Sequence, residues 1–563
     1  MAIDRNITQC EASHDDTRRI ENSDATFDDR EILDPDLCYR ALLSRDPRFD
    51  GRFFTGVTTT GIYCRPICPA RTPKLKNVRF FVCAAAAEEA EFRPCRRCRP
   101  DAAPGTPAWL GTSATVSRAL RLIAEGALDG ESVERLAERL GVGPRHLRRL
   151  FALHLGTSPA AIAATRRTHF ARKLIDETRL PMTAIALDAG FSSVRRFNAS
   201  IRQTFGRSPT ELRRKVRSLI GTSQSRSSTG SVSGELALRL PFRPPLDWPA
   251  LARFLALRAT PGVEAVDGQS YRRTIRIGDA AGVIEVEPVA GRCWLRLSVW
   301  MNGSTGLLHV VERVRRMFDL NADPLAIDRR LSEDPRLAPL VAAQPGLRVP
   351  GAWDPFELAV RAILGQQVSV KGATTMAGRL AARFGTSLTH PMHSDVTRVF
   401  PKPEALADAD LTIIGLTTAR SAAIRGLARA VCEGRLKLDA AWGAERVEAE
   451  LTRLPGIGPW TAQYVAMRGL QEPDAFLPGD LGLRRAVSVN GKLPTQTALL
   501  EMAEPWRPWR AYAAMHLWMT GNESTEPTIE RRSINGTQGI ARGNAAGHGR
   551  AGRQRTRVVC AGL

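Results

Sequence analysis

Two tight pairs of cysteines, Cys64-Arg65-Pro66-Ile67-Cys68 and Cys95-Arg96-Arg97-Cys98, constrain this chain more than any other feature. Spacings of CxxxC and CxxC suit the closure of one tetrahedral zinc site, which ties two separated segments together. Zinc held by four thiolates keeps a negative formal charge and holds every sulfur deprotonated, so each is a potential nucleophile at neutral pH. The cysteines alone leave two readings open, a structural clip or a reactive thiolate.

Their surroundings favour the reactive one. The runs Phe49-Asp50-Gly51-Arg52-Phe53-Phe54, Thr59-Thr60-Gly61-Ile62-Tyr63-Cys64-Arg65-Pro66 and Phe92-Arg93-Pro94-Cys95 resemble the Ada-type N-terminal domain, which repairs methylphosphotriesters in DNA, over residues 34–101. The resemblance implies that Cys64 accepts the methyl group irreversibly and that Cys68, Cys95 and Cys98 complete the ligand set of one Zn2+. A soft thiolate attacks a methyl carbon by in-line displacement, with phosphate as a good leaving group. Thr60, Arg65, Arg71 and Arg93 are expected to hold the DNA backbone.

Two helix-turn-helix patterns follow. Ser132 is placed to cap a helix through Leu140, Gly141-Val142-Gly143 to make the turn, and Pro144 to open a second helix carrying Arg145, His146, Arg148 and Arg149. The second unit runs from Met182 to Ala189, turns at Gly190-Phe191-Ser192-Ser193, and continues from Val194 to Phe205 with Arg195, Arg196 and Asn198. A single helical hairpin of this size is common in proteins that never touch DNA; two in tandem are not. The series Ile185-Ala186, Ala189-Gly190-Phe191, Phe197, Phe205-Gly206 and Ser208-Pro209 resembles the AraC-type DNA-binding domain over 113–217. Arginines on its second helices suit guanine edges or phosphates.

A Ser- and Gly-rich stretch, 218–233, reads as a linker, as does Ala102-Ala103-Pro104-Gly105-Thr106-Pro107. Alternating segments at Gly234–Pro241, Tyr271–Ile277, Val283–Glu287 and Cys293–Val299 predict antiparallel strands, with Pro249–Leu257 and Leu307–Phe318 helical. The chain from Pro355 onward is predicted helical. Residues 1–33 are acidic and poor in apolar side chains, and 521–563 are rich in Gly and Arg, so both are expected to be disordered.

The run Leu454-Pro455-Gly456-Ile457-Gly458-Pro459-Trp460-Thr461-Ala462 joins two helical patterns by a tight glycine hairpin, whose backbone N–H groups of Gly456, Ile457 and Gly458 are suited to a DNA phosphate. Asp480 follows, in Phe476-Leu477-Pro478-Gly479-Asp480. Together these resemble the helix-hairpin-helix DNA glycosylases, and Leu347-Arg348-Val349-Pro350-Gly351, Ala362-Ile363-Leu364-Gly365-Gln366-Gln367-Val368-Ser369 and Pro508-Trp509-Arg510-Ala511-Tyr512 bring the likeness closer to AlkA-type 3-methyladenine glycosylases, over about 235–520. The resemblance implies that Asp480 stabilises an oxocarbenium-like sugar and orients water. Trp460, Tyr464 and Trp518 would form the pocket for a flipped, positively charged base. Trp460 fills the position where strand-cleaving members carry a lysine, so base excision alone is expected, and Gln367 stands where the wedge residue of the family is apolar. Nothing resembles the second, O6-methylguanine-repairing domain of Ada proteins.

An excess of 80 basic over 58 acidic side chains, giving +22, favours a polyanionic partner. No run of 18 apolar residues and no basic-then-apolar leader argue for a membrane, which points to the cytoplasm. The remaining cysteines, Cys10, Cys38, Cys83, Cys293, Cys432 and Cys560, show no paired spacing, as a reducing compartment would leave them. The expected architecture is multidomain α+β: a small zinc-binding α/β domain at 34–101, an all-α tandem helix-turn-helix domain at 113–217, an α+β glycosylase subdomain with an antiparallel sheet at 234–350 and an all-α helix-hairpin-helix domain at 351–520. Such a chain would act on alkylated double-stranded DNA and promoter DNA, with RNA polymerase as a partner, as a monomer. The alternative is a regulator without enzymatic activity, with structural zinc.

Overall fold

The computed structural model describes residues 33–104, 114–220, 235–301, 306–390, 393–439 and 441–521. The expected disordered ends, most of the 218–233 linker and part of the 102–107 linker lie outside the described residues.

In the first domain, Asp34 caps the helix Pro35–Ser44 by accepting from the N–H groups of Asp36 and Leu37. The sheet beside it has the order Val78–Phe81, Phe54–Val57, Ile62–Cys64, Arg93–Pro94. Its last two strands are parallel, with Ile62 opposite Arg93 and Tyr63 opposite Pro94. Each strand therefore ends on a cysteine of the other's neighbourhood: Cys64 closes one and Cys95 follows the other, with Cys95 N–H donating to Tyr63 O at 2.9 Å. Phe54, Tyr63, Phe81 and Phe92 form one apolar core with Val116 and Leu122 of the helix Ala114–Ala124 and with Phe151 of the first helix-turn-helix unit, so the two domains are packed together rather than strung apart.

The helix-turn-helix elements form as the caps dictate. Ser132 and Ser193 accept from Arg135 N–H and Arg196 N–H, and Gly141 ends the first helix in the left-handed region at φ 72°. The helices run Val133–Leu140 and Pro144–Leu155 in the first unit, Met182–Asp188 and Val194–Phe205 in the second, joined by Pro159–Glu177. Phe170, Leu174, Ile185, Phe197 and Leu212 share a core with the sheet that follows.

That sheet is antiparallel and five-stranded, in the order Glu235–Pro241, Trp294–Met301, Ala280–Pro288, Tyr271–Ile277, Glu264–Val266. The helices Trp248–Ala256 and Leu307–Met317 lie in the same apolar cluster as its strands. The edge strand Glu264–Val266 escaped the sequence reading because three residues are too few to show alternation, and the helices Pro324–Leu331 and Ala338–Ala343 because each is barely two turns long. The rest is helical from Pro355–Leu364 to Arg510–Gly521, interrupted by a small ladder of Thr386–Ser387 with Arg398–Val399 that the expectation of an all-α domain did not include.

A buried ionic cluster fastens the sheet to the helical domain. Arg273, on a central strand, donates to Glu357 Oε2 at 2.7 Å. Arg361, one turn further along the same helix, reaches Glu264 Oε2 at 2.8 Å and Glu357 Oε1 at 3.1 Å. Glu264 also accepts from Tyr271 Oη at 2.6 Å and Thr260 N at 3.0 Å. Burial alone would raise the Glu264 pKa; the guanidinium groups of Arg361 and Arg273 more than reverse this and bring it down to about 2. A carboxylate with a folded pKa below its unfolded value of roughly 4.3 contributes stability that is present above that value and lost as pH falls toward the folded one. Glu264→Gln should therefore lower the free energy of unfolding at pH 7 by about 3 kcal/mol and flatten the loss of stability on acidification below pH ~4, both read from urea titrations of the glycosylase transition.

Candidate metal centre and active site

The four cysteine sulfurs all lie within 4.8 Å of one another, and Cys68 Sγ stands 4.0 Å from Cys95 Sγ. A tetrahedron of sulfurs at 2.3 Å from zinc has edges of roughly 3.8 Å, so this donor set fits one zinc ion. Hydrogen bonds from its neighbours, Cys64 first, push the Cys68 thiol down to about 7 and hold Cys95 lower still, while bonds with Cys68, Cys95 and Cys98 drive Cys64 upward. Thiols this close share protons unequally unless a cation stabilises all of their charged forms. Cys64 is the least buried of the four. It faces a cavity of about 530 Å³ that is also lined by Thr60, Arg71, Arg93, Arg97 and, from the second helix-turn-helix unit, Phe205.

Thr60, Arg71 and Arg93 are exposed around this cavity, as a backbone-binding role requires. Arg65 is placed differently. Its guanidinium is largely buried and pairs with Asp50, with Nε 2.8 Å from Asp50 Oδ1. It also donates to Cys98 O at 3.1 Å, and its own N–H points at Cys98 Sγ at 3.3 Å. Arg65 is therefore a brace of the metal loop, not a free phosphate ligand; a motif does not show which arginine a distant aspartate will claim. Arg97, exposed between two cysteines, went unassigned in the sequence although its position in CxxC was the signal that could have found it.

On the helix-turn-helix units Arg145, Arg148, Arg149, Arg195 and Arg196 are exposed and Asn198 is half-buried. Arg148 pairs with Glu134, and Arg149 contacts His146 Nδ1 at 3.2 Å, exposed contacts that a polyanion can displace.

The second constellation lies in the helical domain. Asp480 caps the helix Leu481–Ala486 by accepting from Leu483 N at 2.9 Å through Oδ1. Trp518 Nε1 donates to the same oxygen at 3.0 Å, and Trp460 Nε1 donates to Oδ2 at 2.9 Å. Three N–H donors from three elements thus converge on one carboxylate and fix its plane. Gly482 comes so close that a Cβ there would lie 3.0 Å from Asp480 Oδ1. Trp460 and Tyr464, one turn apart on the helix Pro459–Gly469, stack with ring centroids 5.2 Å apart and planes 10° apart, and Trp518 stands tilted 6.4 Å from Tyr464. These aromatics stand beside the carboxylate, each partly buried against the core. Burial would raise the Tyr464 pKa, but Arg468 and then Arg258 reverse this, so the phenol lies below its ordinary range.

The hairpin places Gly456 and Gly458 at the surface, Gly456 with φ 85°. Ile457 departs from the expectation: its side chain is in the core and its N–H is taken by Leu454 O at 3.1 Å. Gln367 is exposed at φ 56°, a left-handed conformation unusual for a side chain of its size. Its neighbour Gln366, missed in the sequence, donates to Gly456 O at 3.0 Å and to Thr461 Oγ1 at 3.1 Å, which binds this loop to the hairpin and to the pocket helix.

A metal-binding thiolate domain, paired helix-turn-helix units and a glycosylase fold with a braced aspartate define a multidomain DNA-repair regulator. Four family descriptions match in the same order: the metal binding domain of Ada at 37–101, a helix-turn-helix domain at 136–215, the AlkA N-terminal domain at 237–354 and the HhH-GPD superfamily base excision DNA repair protein at 360–511. The chain is 44% identical over 489 residues to the probable bifunctional transcriptional activator/DNA repair enzyme AlkA of Mycobacterium tuberculosis H37Rv, covering 86% of this chain and 96% of that protein. It is 37% identical over 285 residues to DNA-3-methyladenine glycosylase 2 of Escherichia coli K12, covering 50% of this chain and 96% of that one. It is 34% identical over 181 residues to the bifunctional transcriptional activator/DNA repair enzyme Ada of the same organism, covering 32% of this chain and 49% of that one. The chain belongs to the family of bifunctional transcriptional activator/DNA repair enzymes that join an Ada-type zinc domain to an AlkA-type glycosylase. No described helix is long and apolar enough to cross a membrane.

If the indole N–H groups set the carboxylate, Trp518→Phe, which keeps an aromatic face and removes one donor, should slow release of the damaged base on the order of ten-fold or more. Duplex affinity, measured in parallel by gel shift, should stay unchanged.

Proposed function

We propose that this protein repairs alkylated DNA at two separate centres and reports the damage to transcription, with Cys64 as methyl acceptor and Asp480 as the excision carboxylate. The carrying observation is the pair of indoles, Trp460 and Trp518, hydrogen-bonded to opposite oxygens of Asp480 beside an aromatic face. With both oxygens so oriented, the carboxylate is fixed beside the sugar of a base lodged against that face. As the glycosidic C–N bond breaks and the neutral base leaves with the electron pair, the Asp480 carboxylate stabilises the positive sugar, and water completes the substitution at its anomeric carbon. Trp460 leaves no amine at this place on the helix, so hydrolysis without a covalent intermediate follows.

At the first centre Cys64, Cys68, Cys95 and Cys98 would hold one zinc ion, which supplies thiolates without a separate base. The Cys64 sulfur forms a bond to the methyl carbon while the carbon–oxygen bond breaks, and the phosphodiester leaves as an anion. Support for Cys64 over its three partners comes from its partial exposure: Cys68 and Cys95 line the same cavity, beside Thr60, Arg71 and Arg93, but they and Cys98 are buried. The helix-turn-helix units, the first of which shares a core with this domain, would carry the methylated state to promoter DNA, with RNA polymerase as the further partner of a monomeric, cytoplasmic protein.

Asp480→Asn should cut release of 3-methyladenine at least about a hundred-fold while duplex binding persists, and borohydride should trap no protein on DNA; an active Asn variant or a trapped adduct would overturn the assignment. Incubation with methylphosphotriester DNA should add one methyl group to Cys64, located by peptide mass spectrometry. A methyl found instead on Cys68, Cys95 or Cys98 moves the acceptor.

A further inference from the structure

The loop Leu347-Arg348-Val349-Pro350-Gly351 marks the glycosylase in the sequence, yet none of its side chains reaches Asp480 or the aromatic face by any contact described above. Its carbonyls end on one side chain. Arg468, only 4% exposed, donates from Nε to Pro350 O at 2.7 Å and from Nη2 to Gly351 O at 3.3 Å. Its remaining nitrogen, Nη1, donates to the Tyr464 hydroxyl one turn back on the same helix. The guanidinium lies between two rings, 5.3 Å from the centroid of Tyr464 and 4.9 Å from that of Phe254, a fully buried residue of the helix Trp248–Ala256.

We propose that Arg468 is a positioning residue for base excision: anchored on the Pro350–Gly351 carbonyls, it holds the Tyr464 hydroxyl and so fixes the aromatic face on which the extruded base rests. This rests on the reading of that face as the base pocket.

The anchor itself is rigid. Gly351 N–H donates to Met317 O at 2.9 Å, and a Cβ at Gly351 would stand 2.5 Å from Arg316 O, so the loop is pressed against the end of the helix Leu307–Met317 with no room to shift. Arg468 transmits that rigidity. Both of its carbonyl bonds and the phenol bond use the fixed fork of one planar group, so the hydroxyl, and with it the long axis of the ring, is placed relative to the loop. Packing against Trp460, with the planes 10° apart, then sets the plane of the ring on that axis. Trp460 in turn donates to Asp480, so the chain of contacts runs from the loop through Arg468, Tyr464 and Trp460 to the carboxylate. A guanidinium has the wrong charge to meet an N-alkylated purine directly, which is why Arg468 is expected to act through the tyrosine. Arg468 stands four residues after Tyr464 and on the same helical stripe, a spacing that the sequence already displayed.

The test is a double-mutant cycle on the full-length chain. Single-turnover release of 3-methyladenine from methylated duplex is measured for the wild type, Arg468→Met, Tyr464→Phe and the double variant. Each single change should slow release about ten-fold and the double should be no slower than either, because both remove the same contact. Arg468→Lys, which keeps the charge but loses the fork, should recover only part of the rate. A general loss of packing would move duplex affinity and thermal midpoint with the rate; for Tyr464→Phe, which leaves the carbonyl anchors of Arg468 in place, positioning predicts that the rate falls alone, whereas Arg468→Met should also lower the thermal midpoint because two buried carbonyls lose their donor. Losses that multiply in the double variant, or a Tyr464→Phe protein with the wild-type rate, overturn the inference. Tyr464→Phe removes a single hydroxyl and keeps the ring, so it decides the matter alone if Arg468→Met does not fold. An active Asp480→Asn protein would instead remove the pocket reading itself; an inactive one alongside multiplying losses would remove only the role of Arg468.

Discussion

The glycosylase half depends on a set of charges that water cannot reach. Glu264, Glu357, Arg273 and Arg361 are each too costly to bury alone, and removing any one leaves its partners uncompensated. Their mutual geometry is satisfied in only one placement of the sheet against the helix Pro355–Leu364, so the cluster specifies an orientation as well as adding to stability. That helix leads directly into Gly365-Gln366-Gln367. Gln366 then reaches the hairpin at Gly456 and the pocket helix at Thr461. The position of the pocket helix relative to the sheet is thus set twice, once by ion pairs behind it and once by an amide in front.

The metal domain is built on a similar dependence. Two short parallel strands bring Cys64 and Cys95 side by side, and Arg65 closes the loop between them by gripping Asp50 and the Cys98 carbonyl. Neighbouring Arg52 lies 2.9 Å from Asp323, a close charge contact across the boundary with the glycosylase half, and Asp323 also caps the helix Pro324–Leu331. Together with the shared apolar core under the first helix-turn-helix unit, this makes the metal domain part of a continuous body. A change of charge at Cys64 of the kind proposed would therefore occur against fixed surroundings, where electrostatic differences are least relaxed by local motion.

What the sequence displayed was whatever depends on neighbours in the chain. The caps at Ser132 and Ser193, the turn at Gly141, the cysteine spacings and the i, i+4 pair Trp460 and Tyr464 are local patterns, and each has the local structure it implies. The brace on Asp480 was half legible: Trp460 and Trp518 stood out as aromatics, but their use as N–H donors to the carboxylate joins three helices and has no local signature. Arg65 and Ile457 show the opposite failure. Each sits inside a recognisable DNA-binding motif, yet one is claimed by an aspartate fifteen positions earlier and the other by the core. A motif gives the path of the backbone and says little about which side chains on it remain free.

The same distinction governs the charge. A net +22 suggests a surface uniformly inviting to DNA, but Arg243, Arg273, Arg315, Arg348, Arg468 and Arg510 are all buried. Arg273 and Arg510 answer carboxylates there, whereas Arg348 and Arg468 hold backbone carbonyls and contribute nothing to attraction at close range. Among the arginines left outside, Arg71, Arg93 and Arg97 ring the thiolate cavity, and Arg145, Arg148, Arg149, Arg195 and Arg196 stand on the second helices of the two units. Arginine therefore serves two ends in this chain. Its planar fork organises loops where water is absent, and its permanent charge meets phosphate where water is present. Burial decides between the two, which is why composition favours a polyanionic partner while only the fold shows which arginines remain free to meet one.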